Sequence, residues 1–325
     1  MVEASGVRVP WDALPPDVHA GVADLLGSRV VAAQTQRGGF SPGSADRVVC
    51  EDGTRAFVKT ALASANPEVL GIHRREAAIS AWLPGSVAAP RLLGAIDEAE
   101  WVAIVFEDVD GAQPPVPWRG AHVEAVAAAL AGVAATPIDS AGRMVLGDAV
   151  DELAPLTAAW GRLAADPAGL DRVLAGDLGP WLRERMPIWA GHETSHFDVV
   201  QGETLVHFDI RSDNTLIRPD GSAVLVDWLW AMRGAPWLDL VLLGFNIRLY
   251  DPAYDVEGLL RGHPALDGVP PERVTATLTA FGGHLLDGSR RPDPPGLPTL
   301  RAFQRDQALA ILRWVRDREA GDSSR

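Results

Sequence analysis

The sequence predicts an α+β, bilobal protein, with a small mixed β-sheet in an N-terminal lobe and a larger, mostly helical C-terminal lobe. Three observations carry this. Short β-rich runs separated by glycine turns are confined to the first third of the chain. A proline- and glycine-rich break, DVDGAQPPVPWRG at residues 108–120, follows them. Beyond it the patterns are helical, with one compact β segment from Leu205 to Trp228. The expected lobes are residues 1–110 and 111–325.

In chain order, DVHAGVADLLGS has helical spacing and stops at Gly27. Three strands follow, near Val30 to Gln34, Asp46 to Cys50 and Arg55 to Lys59, the last two joined by the turn EDGT. NPEVLGIHRREAAISAWLPG opens on asparagine and proline and ends on proline and glycine, the punctuation of a helix. RLLGAIDE and EWVAIVFEDV complete the sheet. In the second lobe, helices are expected at Ala121 to Ala135, Val150 to Ala165 and Leu178 to Gly191. A final amphipathic helix gathers Leu300, Phe303, Gln307, Ile311, Trp314 and Val315 on one face.

A chain of 325 residues with 47% hydrophobic residues can bury a sizeable core. Its most apolar run, AVAAALAGVAA, is too short to span a bilayer. The N-terminus lacks the basic and apolar regions of a secretory signal, so a cytoplasmic protein is expected. The single cysteine, Cys50, excludes an internal disulfide and a cysteine-based zinc cluster. A formal charge of −14 excludes a non-specific nucleic-acid binder and is compatible with a cationic substrate.

The chemistry concentrates in LVHFDIRSDNTLIRPDGSAVLVDW. A polar loop from His207 to Asn214 precedes a hairpin whose turn, RPDGS, is specified by Pro219 and Gly221. Folding the hairpin returns Asp227 beside Asn214. One carboxylate and one amide oxygen, with Asp209 nearby, make a hard-oxygen site suited to magnesium that keeps phosphates and water. Arg211, two positions after Asp209, is placed to neutralise a phosphate in transfer. Of 29 basic side chains only Lys59 is a lysine. It follows the glycine-rich turn RGGFSPG, whose Gly38, Gly39 and Ser41 are the positions expected over nucleotide phosphates. A slot under a close backbone favours a compact ammonium over a guanidinium fork. Glu76, on the next helix, is the expected ion-pair partner.

These residues resemble the aminoglycoside phosphotransferase family of kinase-like small-molecule phosphotransferases, from about Gly38 to Asp239. The family's histidine, aspartate and asparagine loop is matched by His207, Asp209 and Asn214, and its later metal-binding aspartate by Asp227. The resemblance implies a protein-kinase-like fold, with Asp209 as the base, Asn214 and Asp227 as magnesium ligands, Lys59 on the phosphates and Glu76 orienting it. It also implies a hinge at Glu107, Asp108 and Val109 that meets the base, and a brace for the catalytic loop at Asp239. The pair Trp228 and Leu229 stands where protein kinases carry phenylalanine and glycine, and no Ala-Pro-Glu signature follows, which favours a small-molecule acceptor. The implied activity is ATP- and magnesium-dependent phosphorylation of a hydroxyl on an aminoglycoside or other antibiotic, a sugar or an amino alcohol. GTP is the alternative donor, and a monomer or homodimer is expected. A nucleotide-binding pseudoenzyme is the runner-up, and a metal-dependent hydrolase would leave Lys59 without a role.

Overall fold

Alternation of apolar side chains builds a five-stranded sheet of order β1-β2-β3-β5-β4 from β1 (Val30–Thr35), β2 (Ser44–Cys50), β3 (Arg55–Leu62), β4 (Leu92–Asp97) and β5 (Trp101–Glu107). The computed structural model describes residues 8–36, 43–64, 68–156, 158–174, 177–191 and 198–322. On β5, Trp101, Ala103 and Val105 face one core with Trp11, Val18 and Val22 of the N-terminal segment and α1 (Pro16–Leu26). Val102, Ile104 and Phe106 face another with Val69 and Leu70 of α2 (Glu68–Trp82). The period of two thus explains why WVAIVF reads as an unbroken apolar run, since both faces are covered. Gly27 ends α1 in the left-handed region at φ 69°.

The mixed sheet expected from the sequence is corrected, because every strand pair in it is antiparallel. β2 and β3 form a hairpin, and β4 returns through residues 98–100 into β5. After α2 the chain places β4 outside β5 instead of beside β3, which avoids a parallel crossover.

The helical part contains α3 (Gly120–Ala134), α4 (Ser140–Val145), the short β6 (Gly147–Asp148), α5 (Ala149–Leu153), α6 (Ala159–Ala165), α7 (Pro167–Val173) and α8 (Leu178–Gly191). The single helix expected over Val150 to Ala165 is divided. Pro155 lies in a 3-10 turn at Ala154–Leu156, where its missing N–H and its ring interrupt an α-helix. β7 (Thr204–Val206), β8 (Thr215–Ile217), β9 (Ala223–Leu225) and β10 (Met232–Gly234) make up the second β segment. β10 pairs with both β6 and β7, a three-stranded sheet too short to show in the sequence period. α9 (Leu238–Tyr250) is buried nearly all round, as its apolar composition demands. It packs with α10 (Val256–Arg261) and α12 (Leu300–Asp322), and α12 in turn packs with α11 (Pro271–Ser289); Phe303, Ile311, Trp314 and Val315 of α12 enter the core as expected. No helix among the described residues is long and apolar enough to cross a membrane.

Candidate active site

The hairpin of β8 and β9 forms as its turn residues dictate, with Gly221 at φ 84° and the Arg218 N–H donating to the Ser222 carbonyl at 2.9 Å. The Val226 N–H then donates to the Asn214 carbonyl at 3.0 Å, which brings Asn214 and Asp227 to one end of the hairpin. Two residues of this floor, Phe208 at φ 73° and Asp227 at φ 68°, hold left-handed backbone without being glycine. Such conformations cost on the order of 1–3 kcal/mol each and persist only where neighbours fix them.

The neighbours are visible. The buried Asp239 carboxylate accepts from the His207 N–H at 2.7 Å and the Phe208 N–H at 2.8 Å. Burial pushes Asp239 up to about 7, against the two N–H donors that favour its charged form. His207 donates from Nε2 to the Val226 carbonyl at 3.0 Å and accepts the Asp209 N–H on Nδ1 at 3.2 Å. One imidazole therefore ties the residue before Asp227 to Asp209. Burial lowers its pKa to about 4, so it stays neutral. Trp228 lies edge-on to it at 4.5 Å and is buried, while Trp230 is half-exposed.

Asp209 is aligned from two sides. Asn214 Nδ2 donates to its carboxylate at 2.7 Å and to its carbonyl at 3.0 Å. Arg211 Nη1 reaches both carboxylate oxygens at 3.2 and 3.3 Å, and its Nε and Nη2 take Asp213 at 2.9 and 2.6 Å. Burial works against the charge on Arg211, but the two aspartates outweigh it and hold the guanidinium charged. Burial raises the pKa of Asp209, with Arg211 opposing. The expectation that Arg211 meets a phosphate is therefore modified: here its fork is occupied by Asp209 and Asp213.

Across the cleft, Lys59 on β3 donates to Glu76 at 2.6 Å and to Asp227 at 3.0 Å. Strand register makes this possible. Phe57, Lys59 and Ala61 share the face covered by α2, which carries Glu76. Burial disfavours the ammonium, yet the two carboxylates more than compensate and keep Lys59 charged, while Lys59 holds Asp227 below the usual carboxylate range against its burial.

Between the walls lies a cavity of about 400 Å³ lined by Phe57, Phe106, Leu216 and Val226 as well as Lys59, Asn214 and Asp227. Glu107, Asp108 and Val109 border it. The Asp108 carboxylate is taken by Arg47 at 3.3 Å and Arg55 at 2.6 Å, and Glu107 Oε1 accepts the Arg91 N–H at 3.2 Å, so backbone is what this stretch can present to a base. Asp209 and Arg211 are not among the lining residues. Asp209 is joined to the cavity wall through the hydrogen bond it accepts from Asn214. Gly38, Gly39 and Ser41 lie outside the described residues.

Among the described residues no group of three or more His, Cys, Asp or Glu could hold a metal ion. Of the carboxylates and amides that line the cavity, Asp227 and Asn214 lie together at one end of the hairpin, while Glu76 is paired with Lys59, Asp108 with Arg47 and Arg55, and Asp213 with Arg211. The Asn214 nitrogen is committed to Asp209, so its oxygen is the atom offered to a cation. This sparse, hard set fits magnesium, which keeps several waters and phosphate oxygens as ligands, and does not fit a dedicated protein cage. Arg8, Gln36, Arg47 and Gln113 also line the cavity and were not anticipated. No motif marks them, and only the three-dimensional arrangement brings them to the cleft.

The sequence model of the phosphotransferase enzyme family matches residues 39–271. The chain belongs to this family. The matched stretch contains every aligned group of the site, from Lys59 to Asp239, and makes the protein a small-molecule kinase by class. No curated protein sequence matches this phosphotransferase significantly. Solved structures with its fold include a thermostable mutant of the aminoglycoside phosphotransferase APH(4)-Ia in ternary complex with ADP and hygromycin B. That match is 18% identical over 91% of this chain and 98% of the other, with a TM-score of 0.57. The macrolide 2'-phosphotransferase MphH from Brachybacterium faecium is 19% identical over 91% and 98%, with a TM-score of 0.55. The choline kinase LicA from Streptococcus pneumoniae is 13% identical over 91% and 98%, with a TM-score of 0.54. At these identities the likeness is one of fold, and it supports the bilobal, kinase-like architecture expected from the sequence.

Proposed function

We propose that this phosphotransferase moves the γ-phosphoryl group of ATP to a hydroxyl of a small, hydroxylated acceptor in the cytoplasm, with GTP as the alternative donor. The observation that carries this is a pair of contact sets, Glu76–Lys59–Asp227 and Asn214–Asp209–Arg211, joined where the Val226 N–H donates to the Asn214 carbonyl. It joins a phosphate-binding cation, a metal-ligand pair and a base in one cleft.

The base of the nucleotide would meet the backbone of Glu107, Asp108 and Val109, and its phosphates Lys59. Asn214 and Asp227 would hold magnesium, which when bound neutralises phosphate charge. Asp209 accepts the proton of the acceptor hydroxyl as its oxygen bonds to the γ-phosphorus and the bond to the β-phosphate oxygen breaks. The raised pKa of Asp209 suits that task. Arg211 acts by aligning Asp209. Positioning and charge neutralisation supply most of the rate in such transfers.

Solved neighbours carry hygromycin B or are named for macrolides and choline, which puts aminoglycosides, macrolides and amino alcohols in the acceptor panel, and the sugars implied by the family resemblance complete it. A resistance function would follow from turnover of an antibiotic. The test is ATP consumption across that panel with wild type and Asp209→Asn. The variant should lose at least about a hundredfold in turnover while nucleotide affinity stays within about threefold. Retention of more than about a tenth of wild-type turnover would remove Asp209 as the base. Nucleotide binding without turnover of any acceptor would favour the pseudoenzyme.

A further inference from the structure

The N-terminal segment precedes every motif of the site, yet it carries a cation into the cleft. Arg8 lines the same cavity as Lys59, Glu76 and Asp227. Its backbone forms a parallel bridge to Gly43, and the Val9 N–H donates to the Gly43 carbonyl at 3.0 Å. Gly43 closes the glycine-rich turn at φ 119°, and a Cβ there would stand 2.2 Å from the Thr60 carbonyl. The exit of the turn is thus pressed onto β3 next to Lys59, with Arg8 alongside it.

The segment is fixed further along. The Trp11 N–H donates to Thr35 Oγ1 at 3.4 Å, at the start of the same turn. Trp11, Leu14, Val18 and Val22 are buried against Val58, Trp101 and Val105 of the sheet. Residues 8–11 are therefore bonded to both Thr35 and Gly43, and the hydrophobic anchoring offsets the entropy of ordering the segment.

Burial lowers the pKa of the Arg8 guanidinium, with three carboxylates, Asp227, Asp46 and Glu76, opposing. Two of them are the partners of Lys59. Two cations lining one cavity suit a polyphosphate: the compact ammonium of Lys59 and the planar fork of Arg8, able to take two oxygens of one phosphate.

Resting on the nucleotide reading above, we infer that Arg8 is a second positioning cation for the phosphate chain of the nucleotide, delivered to the cleft by the N-terminal segment beside Lys59. Its effect grows with the number of phosphates on the ligand and is absent for the nucleoside.

The test is equilibrium calorimetry without acceptor, using adenosine, ADP and a non-hydrolysable ATP analogue, with wild type, Arg8→Gln and Arg8→Lys. A thermal melt of each variant accompanies it. Arg8→Gln should bind adenosine within about twofold of wild type and the ATP analogue at least about tenfold more weakly, with ADP between and Arg8→Lys recovering part of the loss. Where Arg8→Gln melts early, Arg8→Met, which keeps the aliphatic stem, is read by the same rule. Equal weakening for adenosine and the ATP analogue would make Arg8 a wall residue and overturn the inference. So would unchanged ATP-analogue binding, and so would tighter binding, which would make the segment a plug. A wild-type protein that binds none of the three ligands sinks the nucleotide reading itself, and this inference with it.

Discussion

The two walls of the cleft position their charged groups by opposite means. Lys59 sits in a regular ladder, opposite Ala45 on β2 and Ile104 on β5, and its direction follows from strand alternation. Asp209, Asn214 and Asp227 sit on a floor of short turns, where Phe208 and Asp227 adopt left-handed backbone and Asp239 and His207 hold them there. A strand spaces same-face side chains two residues apart, too far for several oxygens to converge on one ion. Convergence requires tight turns, and tight turns require a buried polar brace. The sheet wall is thus robust and aims one charge, while the floor is strained and gathers several.

The strongest way to break this comparison is Asp227→Ala, which removes the only carboxylate assigned to magnesium. Turnover should fall by a hundredfold or more, and ATP affinity should lose its dependence on magnesium in titrations with and without the ion. A retained magnesium dependence would move the metal away from the floor.

Next comes acid. The ordinary histidine pKa near 6.5 falls to about 4 for buried His207. The unfolded chain therefore takes up a proton as pH falls below 6.5, while the folded protein does so only near 4. The stability linked to neutral His207 is fully present above pH 6.5 and is lost on descending towards 4, by up to about 3 kcal/mol. Asp239, raised to about 7, acts in the opposite sense over nearly the same range, so wild type alone does not isolate the effect. Melting curves of wild type and His207→Gln from pH 7 to 4 separate the two. Wild type should be the more stable at pH 7, and the gap should narrow as pH falls. A constant gap would mean that the brace is not held neutral.

The mildest change sharpens the account of the sheet wall. Lys59→Arg keeps the charge but enlarges the group between Glu76 and Asp227, and should cut kcat/KM by about tenfold, or about 1.4 kcal/mol, with an unchanged melt. Normal turnover would make the lone lysine an accident of composition.

Much of this was legible in the sequence because it depends on local chemistry. The Pro219 to Gly221 turn and the spacing of Asp209, Asn214 and Asp227 follow from residue type and interval alone. Other features depend on contacts between distant segments. The antiparallel placement of β4 was hidden because a helix between two strands fits either direction, and β6 and β10 are too short to establish a period. Arg211 reads in sequence as a cation placed to neutralise a phosphate, but its fork closes on Asp209 and Asp213. Arg8 was invisible for a simpler reason. Among the described residues none close to it in the chain lines the cavity, and the packing of Trp11 and Val18 on the sheet carries it there.

The linker between the lobes is shorter in effect than its proline-rich sequence suggests. Ala112 and Ile217 exchange backbone hydrogen bonds at 3.0 and 2.8 Å, so the chain is already stitched to the floor hairpin at that point. β5 ends at Glu107. Any rocking of the sheet against the helices must then be absorbed by Asp108, Val109, Asp110 and Gly111, while Arg47 of β2 reaches across to the carbonyls of Val109 and Gly111 at 3.4 Å. The axle of that movement coincides with the backbone assigned to the purine, so a bound nucleotide would sit on the pivot itself and stiffen it.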